Sequence, residues 1–142
     1  MRSVIASGFA CVLILGGFFL GFSGSVDDAY ITYWSASILA DKGEILNYNL
    51  ERIEQSSALL QVLVLALLHK ASAVPVPFLG HILTIVSALA TIVVLARMSA
   101  SIEMAMVWPA AVFLSTSPFF VYWAYGGMEG PLLALLILLL VK

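Results

Sequence analysis

The chain has 142 residues, of which 63% are hydrophobic and 10% are charged, and its mean hydropathy is +1.11. A soluble domain is about half apolar and about a quarter charged, so this composition excludes an ordinary soluble protein and predicts an all-α integral membrane protein. The net charge of −2 and the lack of a basic cluster argue against a nucleic-acid partner. The single Cys11 cannot form an intrachain disulfide.

One segment carries most of the charge. The whole chain has fourteen charged side chains, six basic and eight acidic. Residues 23–56 hold eight of the fourteen. Asp27 and Asp28 come early in this segment, directly after a run without charge between Ser3 and Val26. Catalytic or binding chemistry is therefore expected first in this polar loop.

Residues 4–22 form the first predicted span, because about 20 apolar residues cross the hydrocarbon layer. Arg2 before the run and the acids after it favour a cytoplasmic N-terminus and an extracytoplasmic polar loop. The alternative is a cleaved signal peptide, for which Ser23 and Ser25 are small residues at suitable spacing. The apolar run continues beyond a typical signal-peptide core, which favours the span.

Residues 28–42 have the pattern of a short helix that lies along the membrane surface, and Gly43 is a typical helix stop. Apolar side chains recur at helical spacing at Ile31, Trp34 and Ile38. Tyrosine and tryptophan favour the interface because their rings are apolar and their tips polar. For Asp27 or Asp28, at the start of this helix, the structural alternative is an N-cap that accepts backbone N–H bonds.

Residues 44–57 are polar and predicted to be irregular, with Asn47 and Asn49 as turn formers. Residues 58–70 form a short apolar segment, which suits an interfacial helix as well as a span. His69 near its end has no second ligand at helical spacing and is interpreted as an interface residue.

Two further spans are predicted, at residues 76–96 and 104–120. His81 lies one turn into the first of them, where a hydrogen bond at the headgroup level is its expected role. After the second comes an aromatic, Gly-rich break that contains Glu129. Residues 131–142 begin a span that is too short to cross, so the sequence is expected to be a fragment or one half of a split protein.

The side of the membrane on which Glu129 lies depends on residues 58–68. If this segment crosses, Glu129 falls on the cytoplasmic side, opposite Asp27. If it lies on the surface, Arg97 is cytoplasmic and Glu129 emerges on the same face as Asp27. The second arrangement agrees better with the positive-inside tendency at Arg97, although not at Lys70, and is preferred.

Two elements of the sequence stand in a fixed order. The first consists of Asp27-Asp28-Ala29-Tyr30-Ile31-Thr32-Tyr33, Asp41-Lys42-Gly43-Glu44, Asn47, Glu51-Arg52-Ile53-Glu54 and Ser56-Ser57. The second is Gly126-Gly127-Met128-Glu129-Gly130-Pro131-Leu132, an acid placed just before a span. Together they resemble the first extracytoplasmic loop and the second acidic element of GT-C glycosyltransferases. The closest groups are the arabinofuranosyltransferase-like and the protein-mannosyltransferase-like (family 39) enzymes.

The resemblance implies a multi-span helical bundle of GT-C type in the plasma (inner) membrane. It implies transfer of a sugar from a polyprenyl-phosphate donor to a hydroxyl of a glycan, lipid or protein acceptor at the extracytoplasmic face. Asp27, the first acid of the pair, is the expected general base of an inverting transfer. The other expected site residues are catalytic Asp28 and Glu129 and substrate-binding Tyr30, Arg52 and Glu54. For Arg52 and Glu54 the alternative is a solvated pair of charges in the loop.

Two positions depart from the family pattern. Trp34 stands where relatives often have arginine, and Gln55-Ser56 stands where some relatives have a phosphate-binding lysine. Binding of the donor phosphate is therefore unexplained by this sequence. The helices that complete the donor groove in the longer relatives are expected from a missing C-terminal half, supplied as a separate chain.

The chemistry follows from the residue types. An acceptor hydroxyl is a poor nucleophile, and a positioned carboxylate takes its proton during the attack. An inverting transfer then needs stabilisation of the leaving phosphate. A second acid nearby raises the pKa of the first and makes it a stronger base. No residues have recognisable metal-ligand spacing and no cofactor is predicted, although Asp27, Asp28 and Glu129 could share a divalent cation if they converge.

Two alternatives stay open. A transporter or channel fragment is the first, because acids beside membrane spans often mark ion or substrate paths. The predicted spans carry no internal charge, which favours the transferase. The second is a non-catalytic, truncated fragment of the GT-C fold.

Overall fold

The computed structural model describes residues 8, 12–13, 15–17, 25–53, 56–101 and 113–141. The regular elements in these residues are all α-helices: α1 Asp27–Lys42, α2 Leu59–Ser72, α3 Val76–Ser101, α4 Pro118–Gly126 and α5 Gly130–Val141. The all-helical class predicted from the sequence is confirmed for this part of the chain.

Helix α1 begins one residue before its predicted start and ends at Lys42. Gly43 follows it in the left-handed conformation, with φ of 74°, and donates its backbone N–H to the carbonyl of Leu39. This is a common way to end a helix, because glycine adopts positive φ without steric cost. The sequence signal for the stop is therefore the same residue that stops the helix.

Helix α4 differs from the sequence-based prediction. The pattern placed the end of a span at Phe120 and an aromatic break after it, whereas the chain is helical as far as Gly126. Pro118 occupies the start of α4, where its missing N–H and fixed φ are tolerated. Gly127, with φ of 78°, ends the helix, so the break is confined to residues 127–129.

One described helix segment, Val76–Leu95 within α3, is long and apolar enough to cross a membrane. Helices α4 and α5 are long and apolar enough to cross a membrane only when they are taken together, and they are bent by 108° at the break between them. Helix α2 is apolar but shorter. Most of the predicted first span, residues 4–22, and residues 104–112 of the predicted span 104–120 lie outside the described residues.

Two apolar cores hold the helices together. The first joins α1, α2 and the start of α3 and consists of Ala29, Tyr33, Ala36, Val62, Leu65, Ala66 and Val76. Ala29 and Ala36 lie seven residues apart on one face of α1, and their small side chains let the neighbouring helices approach closely. The second core joins α3 to α4 and consists of Leu13, Ala88, Ile92, Val121 and Ala124.

The Tyr33 side chain fills a space that two glycines leave open. A Cβ at Gly80 in α3 would overlap the Tyr33 ring, and a Cβ at Gly127 would overlap its hydroxyl. Gly127 also has positive φ. Tyr33 therefore packs directly against the break between α4 and α5.

We expect Gly127→Ala to destabilise the fold by more than the cost of a left-handed alanine, which is roughly 1–2 kcal/mol. Gly43→Ala is the matched control, because its φ of 74° is similar but no atom lies within 4 Å of the added Cβ. The measurement is thermal unfolding of both variants in the same detergent. Equal losses would contradict the packing of Tyr33 against Gly127.

Candidate functional site

The end of α4 presents four consecutive carbonyl oxygens, from Ala124 to Gly127, that the helix cannot satisfy internally. Each accepts a hydrogen bond from another part of the chain. The bonds are Thr84 Oγ1 to Ala124 at 2.9 Å, His81 Nδ1 to Tyr125 at 2.9 Å, the Val26 N–H to Gly126 at 3.0 Å, and Gln61 Nε2 to Gly127 at 2.9 Å. The donors come from α2, from α3 and from the residue before α1. They fix the end of α4, and hence Glu129, next to the acid pair.

His81 links this carbonyl cluster to the start of the acid motif. Its Nδ1 donates to the Tyr125 carbonyl, because a carbonyl oxygen can only accept. Its Nε2 lies 3.0 Å from the Ser25 hydroxyl oxygen, which is also within hydrogen-bond distance of Tyr33 Oη, at 3.2 Å. Tyr33 Oη in turn donates to the Gly127 carbonyl over 3.5 Å. Both ring nitrogens of His81 thus bond to protein groups, where the sequence suggested a partner at the headgroup level.

Asp27 and Asp28 are the first two residues of α1 and both are exposed. Val26 occupies the N-cap position, and no side chain makes a capping hydrogen bond at this helix end among the described residues. The N-cap alternative for the acids is therefore not the arrangement found. Both carboxylates remain in the first turn, where the helix dipole favours negative charge.

A polar cavity of about 180 Å³ lies beside Asp28. It is lined by Asp28, Ile31, Thr32, Ser56, Ser57, Met128 and Glu129. The α1 residues that line it are spaced at i, i+3 and i+4 and share one helix face. The hydroxyls of Thr32 and Ser56 are 3.0 Å apart and join this face to the loop before α2. The structure thus brings Asp28 and Glu129, which are far apart in the sequence, to one cavity.

Asp27 lies toward a different face of α1, the face that carries Tyr30 and Trp34 at i+3 and i+7. This face borders an aromatic cavity of about 220 Å³, lined by Tyr30, Tyr33, Trp34, Ser37, Tyr48 and Pro77. The rings of Trp34 and Tyr48 are 5.0 Å apart between centroids. Tyr30, predicted to bind substrate, therefore borders this aromatic cavity.

An apolar cavity of about 350 Å³ lies between α2 and α5. It is lined by Ser57, Ala58, Leu59, Leu60, Gln61, Glu129, Leu132, Leu133 and Leu136. Ser57 and Glu129 line both this cavity and the polar one, so the two cavities meet at these residues. Gln61 Oε1 and Glu129 Oε2 are buried and have no hydrogen-bond partner among the described residues.

Arg52 lies away from these cavities. Its Nη2 donates to Glu44 Oε1 at 2.8 Å, and the two side chains are 79% and 45% exposed. Exposed ion pairs of this kind contribute little to stability because both charges stay hydrated. The predicted substrate-binding role of Arg52 stays a prediction, and Glu54 lies outside the described residues.

The loop before α2 is organised by Asn47. Its Oδ1 accepts the backbone N–H groups of Asn49 and Glu51, both at 2.9 Å, and its Nδ2 donates to Glu51 Oε2 at 2.8 Å. This is the turn-forming behaviour expected of asparagine. The loop is therefore built on local hydrogen bonds, and the Asn47 side chain is used in holding the turn.

The acids of the site do not form a larger ligand cluster. No group of three or more His, Cys, Asp or Glu side chains converges in the part of the chain that the structure describes. Asp28 and Glu129 line the polar cavity as a pair, with the hydroxyl groups of Thr32, Ser56 and Ser57 around them.

Comparisons of the chain with protein-family models, with curated proteins and with solved structures find no match. The case for a function therefore depends on the motifs and on the geometry of the two connected cavities.

We expect His81→Leu to destabilise the fold by about 1–3 kcal/mol, because it removes the hydrogen bond that joins α3 to the Tyr125 carbonyl. His69→Leu is the matched control, since the bond between His69 Nδ1 and the Val74 carbonyl, at 2.7 Å, joins residues five positions apart. Unfolding of both variants in detergent is the measurement. A loss at His69 as large as that at His81 would contradict the long-range role of His81.

Burial raises the pKa of the Tyr33 phenol above its ordinary value, and the hydrogen bond from Ser25 opposes this by a smaller amount. The unfolded phenol ionises near pH 10, whereas the native one keeps its proton to higher pH. Stability is therefore expected to fall as the pH rises above about 10 toward the raised pKa. Between about pH 9 and pH 11, roughly on either side of the ordinary phenol pKa, the unfolding temperature of Tyr33→Phe should fall less steeply than that of the unmodified protein. Identical slopes would show that Tyr33 is not buried in the native state.

Proposed function

We propose that this chain acts in sugar transfer from a polyprenyl-phosphate donor to an acceptor hydroxyl at a membrane surface. The observation that carries the proposal is the polar cavity that both Asp28 and Glu129 line. These residues come from the two sequence elements that resemble the acidic elements of GT-C glycosyltransferases. A shared cavity is what a common reaction site for the two elements requires.

The surface supports a membrane location. Several large apolar side chains are strongly exposed, among them Leu67, Phe119 and Leu140 at 71%, 78% and 85%. Helix α3 contains a segment that is long and apolar enough to cross the hydrocarbon layer. Apolar surface of this extent is stable next to lipid, and we propose a multi-pass arrangement in the plasma membrane with the polar loop on the extracytoplasmic face.

The proposed reaction is an inverting displacement. A carboxylate takes the proton of the acceptor hydroxyl while its oxygen attacks the anomeric carbon of the donor sugar. The bond between that carbon and the phosphate oxygen breaks, and polyprenyl phosphate leaves with the electron pair. The family resemblance assigns the base to Asp27, whereas the position in the polar cavity favours Asp28. The proposal places the base in this pair.

The donor phosphate needs cationic or N–H partners. Lys42, Arg52, Lys70 and Arg97 are the described basic residues, and none of them lines the polar or the apolar cavity. We propose that the donor phosphate is bound by groups other than these four basic side chains. This agrees with the two departures from the family pattern, where Trp34 and Gln55 stand at positions that are basic in some relatives.

Asp27→Asn and Asp28→Asn separate the two candidates for the base. An amide keeps the size of the side chain but cannot take a proton, so loss of the base lowers the transfer rate by about 10²–10⁴. We expect a loss of that size in one of the two variants and a smaller loss in the other. The measurement is transfer of radiolabelled mannose or arabinofuranose from its polyprenyl phosphate, in membranes that contain the protein.

Asp41→Asn is the control for removal of a charge from α1, because Asp41 is exposed in the last turn and lines none of the three cavities. It is expected to retain normal transfer. Near-normal transfer by both Asp27→Asn and Asp28→Asn, at unchanged protein levels, would contradict a catalytic role for the pair. The acids would then be a polar boundary at the end of a membrane helix.

A further inference from the structure

We propose that the apolar cavity between α2 and α5 binds an uncharged lipid alcohol, and that this lipid is the sugar acceptor. The role of this lipid as the sugar acceptor rests on the proposed function, whereas its binding in the cavity does not. The cavity is defined by its wall of leucines and by a polar end formed by Ser57, Gln61 and Glu129.

The wall of the cavity fits a hydrocarbon chain. Leucines from two helices line it: Leu59 and Leu60 from α2, and Leu132, Leu133 and Leu136 from α5. Burial of an apolar chain against such side chains is favourable in proportion to the area removed from water. Among the described residues, Glu129 is the one charged side chain that lines the cavity, so the part of the ligand along the leucines is apolar.

Two buried acceptors at the polar end of the cavity have no hydrogen-bond donor among the described residues. Gln61 is 1% exposed, and its Oε1 has no partner among the described residues. Its amide cannot turn to offer the N–H₂ group instead, because Nε2 donates to the Gly127 carbonyl at 2.9 Å. Glu129 Oε2 is buried and is likewise without a partner in the described part of the chain. Buried acceptors without donors cost stability, so the site favours a ligand that donates a hydrogen bond.

This donor requirement selects among lipid head groups. A phosphate head would place negative charge next to Glu129 and acceptor oxygens next to Gln61, and no described basic side chain lines the cavity to compensate. A hydroxyl donates its proton to one acceptor and places its oxygen at the junction where Glu129 also borders the polar cavity. The acceptor oxygen then lies where the two cavities meet, and its proton passes to the acid pair when the hydroxyl turns from the Gln61 or Glu129 acceptor toward the polar cavity.

The binding test uses 1,2-diacylglycerol with a photoreactive diazirine in one acyl chain, added to phosphatidylcholine nanodiscs that contain the protein. Mass spectrometry locates the label, and unlabelled lipids compete for it. We expect label on the α5 leucines that line the cavity. Diacylglycerol should compete about tenfold more strongly than its methyl ether, the factor that a hydrogen bond to a charged acceptor commonly supplies. Phosphatidic acid should compete no better than the ether, and a long-chain amine tests whether the ligand is a cation instead of an alcohol.

Leu136→Trp fills the cavity and should lower labelling about tenfold. Leu140→Trp is its matched control, because Leu140 lies one turn further along α5, is 85% exposed and does not line the cavity. Glu129→Gln should remove most of the preference for the free hydroxyl over the ether. Thermal unfolding of each variant shows whether it is folded, and the competition experiment on the unmodified protein stands whatever these variants do.

Equal competition by the ether, stronger competition by phosphatidic acid or the amine, or unchanged labelling of Leu136→Trp would each overturn the proposal. Transfer is measured separately, with the radiolabelled donors and with diacylglycerol or a soluble glycoside as acceptor. Hydroxyl-selective labelling without transfer to any acceptor contradicts the proposed function but leaves the lipid site. Transfer to the glycoside without hydroxyl-selective labelling contradicts the lipid site alone.

Discussion

The arrangement of the site depends on the four carbonyl oxygens at the end of α4. A buried carbonyl without a hydrogen-bond partner costs stability, so each of the four needs a donor from the protein. Thr84, His81, Val26 and Gln61 supply these donors from three different parts of the chain. The same bonds that terminate α4 therefore set the position of Glu129 relative to the acid pair.

The period of α1 separates two acids that are adjacent in the sequence. Successive residues of an α-helix point about 100° apart, so Asp27 and Asp28 belong to different faces. Asp28 lines the polar cavity with Glu129, and Asp27 shares its face with Tyr30 and Trp34 beside the aromatic cavity. Adjacent carboxylates thus have different surroundings, which is a physical reason to expect different roles.

Local features of the fold could be predicted from the sequence, because they depend on neighbouring residues. The end of α1 follows from Gly43, and the span in α3 follows from a continuous apolar run. The aromatic, Gly-rich composition of α4 indicates a break and not a helix, although Pro118 at its start and Gly127 after its end are local signals of helix limits. The long-range contacts left no periodic signal: the His81 bond joins residues 44 apart, and the Gln61 bond joins residues 66 apart.

Gln61 shows how a structural requirement produces a binding preference. Its Nε2 is committed to the Gly127 carbonyl, which the break between α4 and α5 leaves without a helical partner. The amide is therefore held in one orientation, and Oε1 is left as a buried acceptor at the end of the apolar cavity. No natural side chain of similar shape keeps the N–H donor to Gly127 and removes Oε1, because glutamate keeps the oxygen and lacks the N–H, and methionine lacks both. The preference of the cavity for a hydrogen-bond donor thus follows from the way the fold satisfies Gly127.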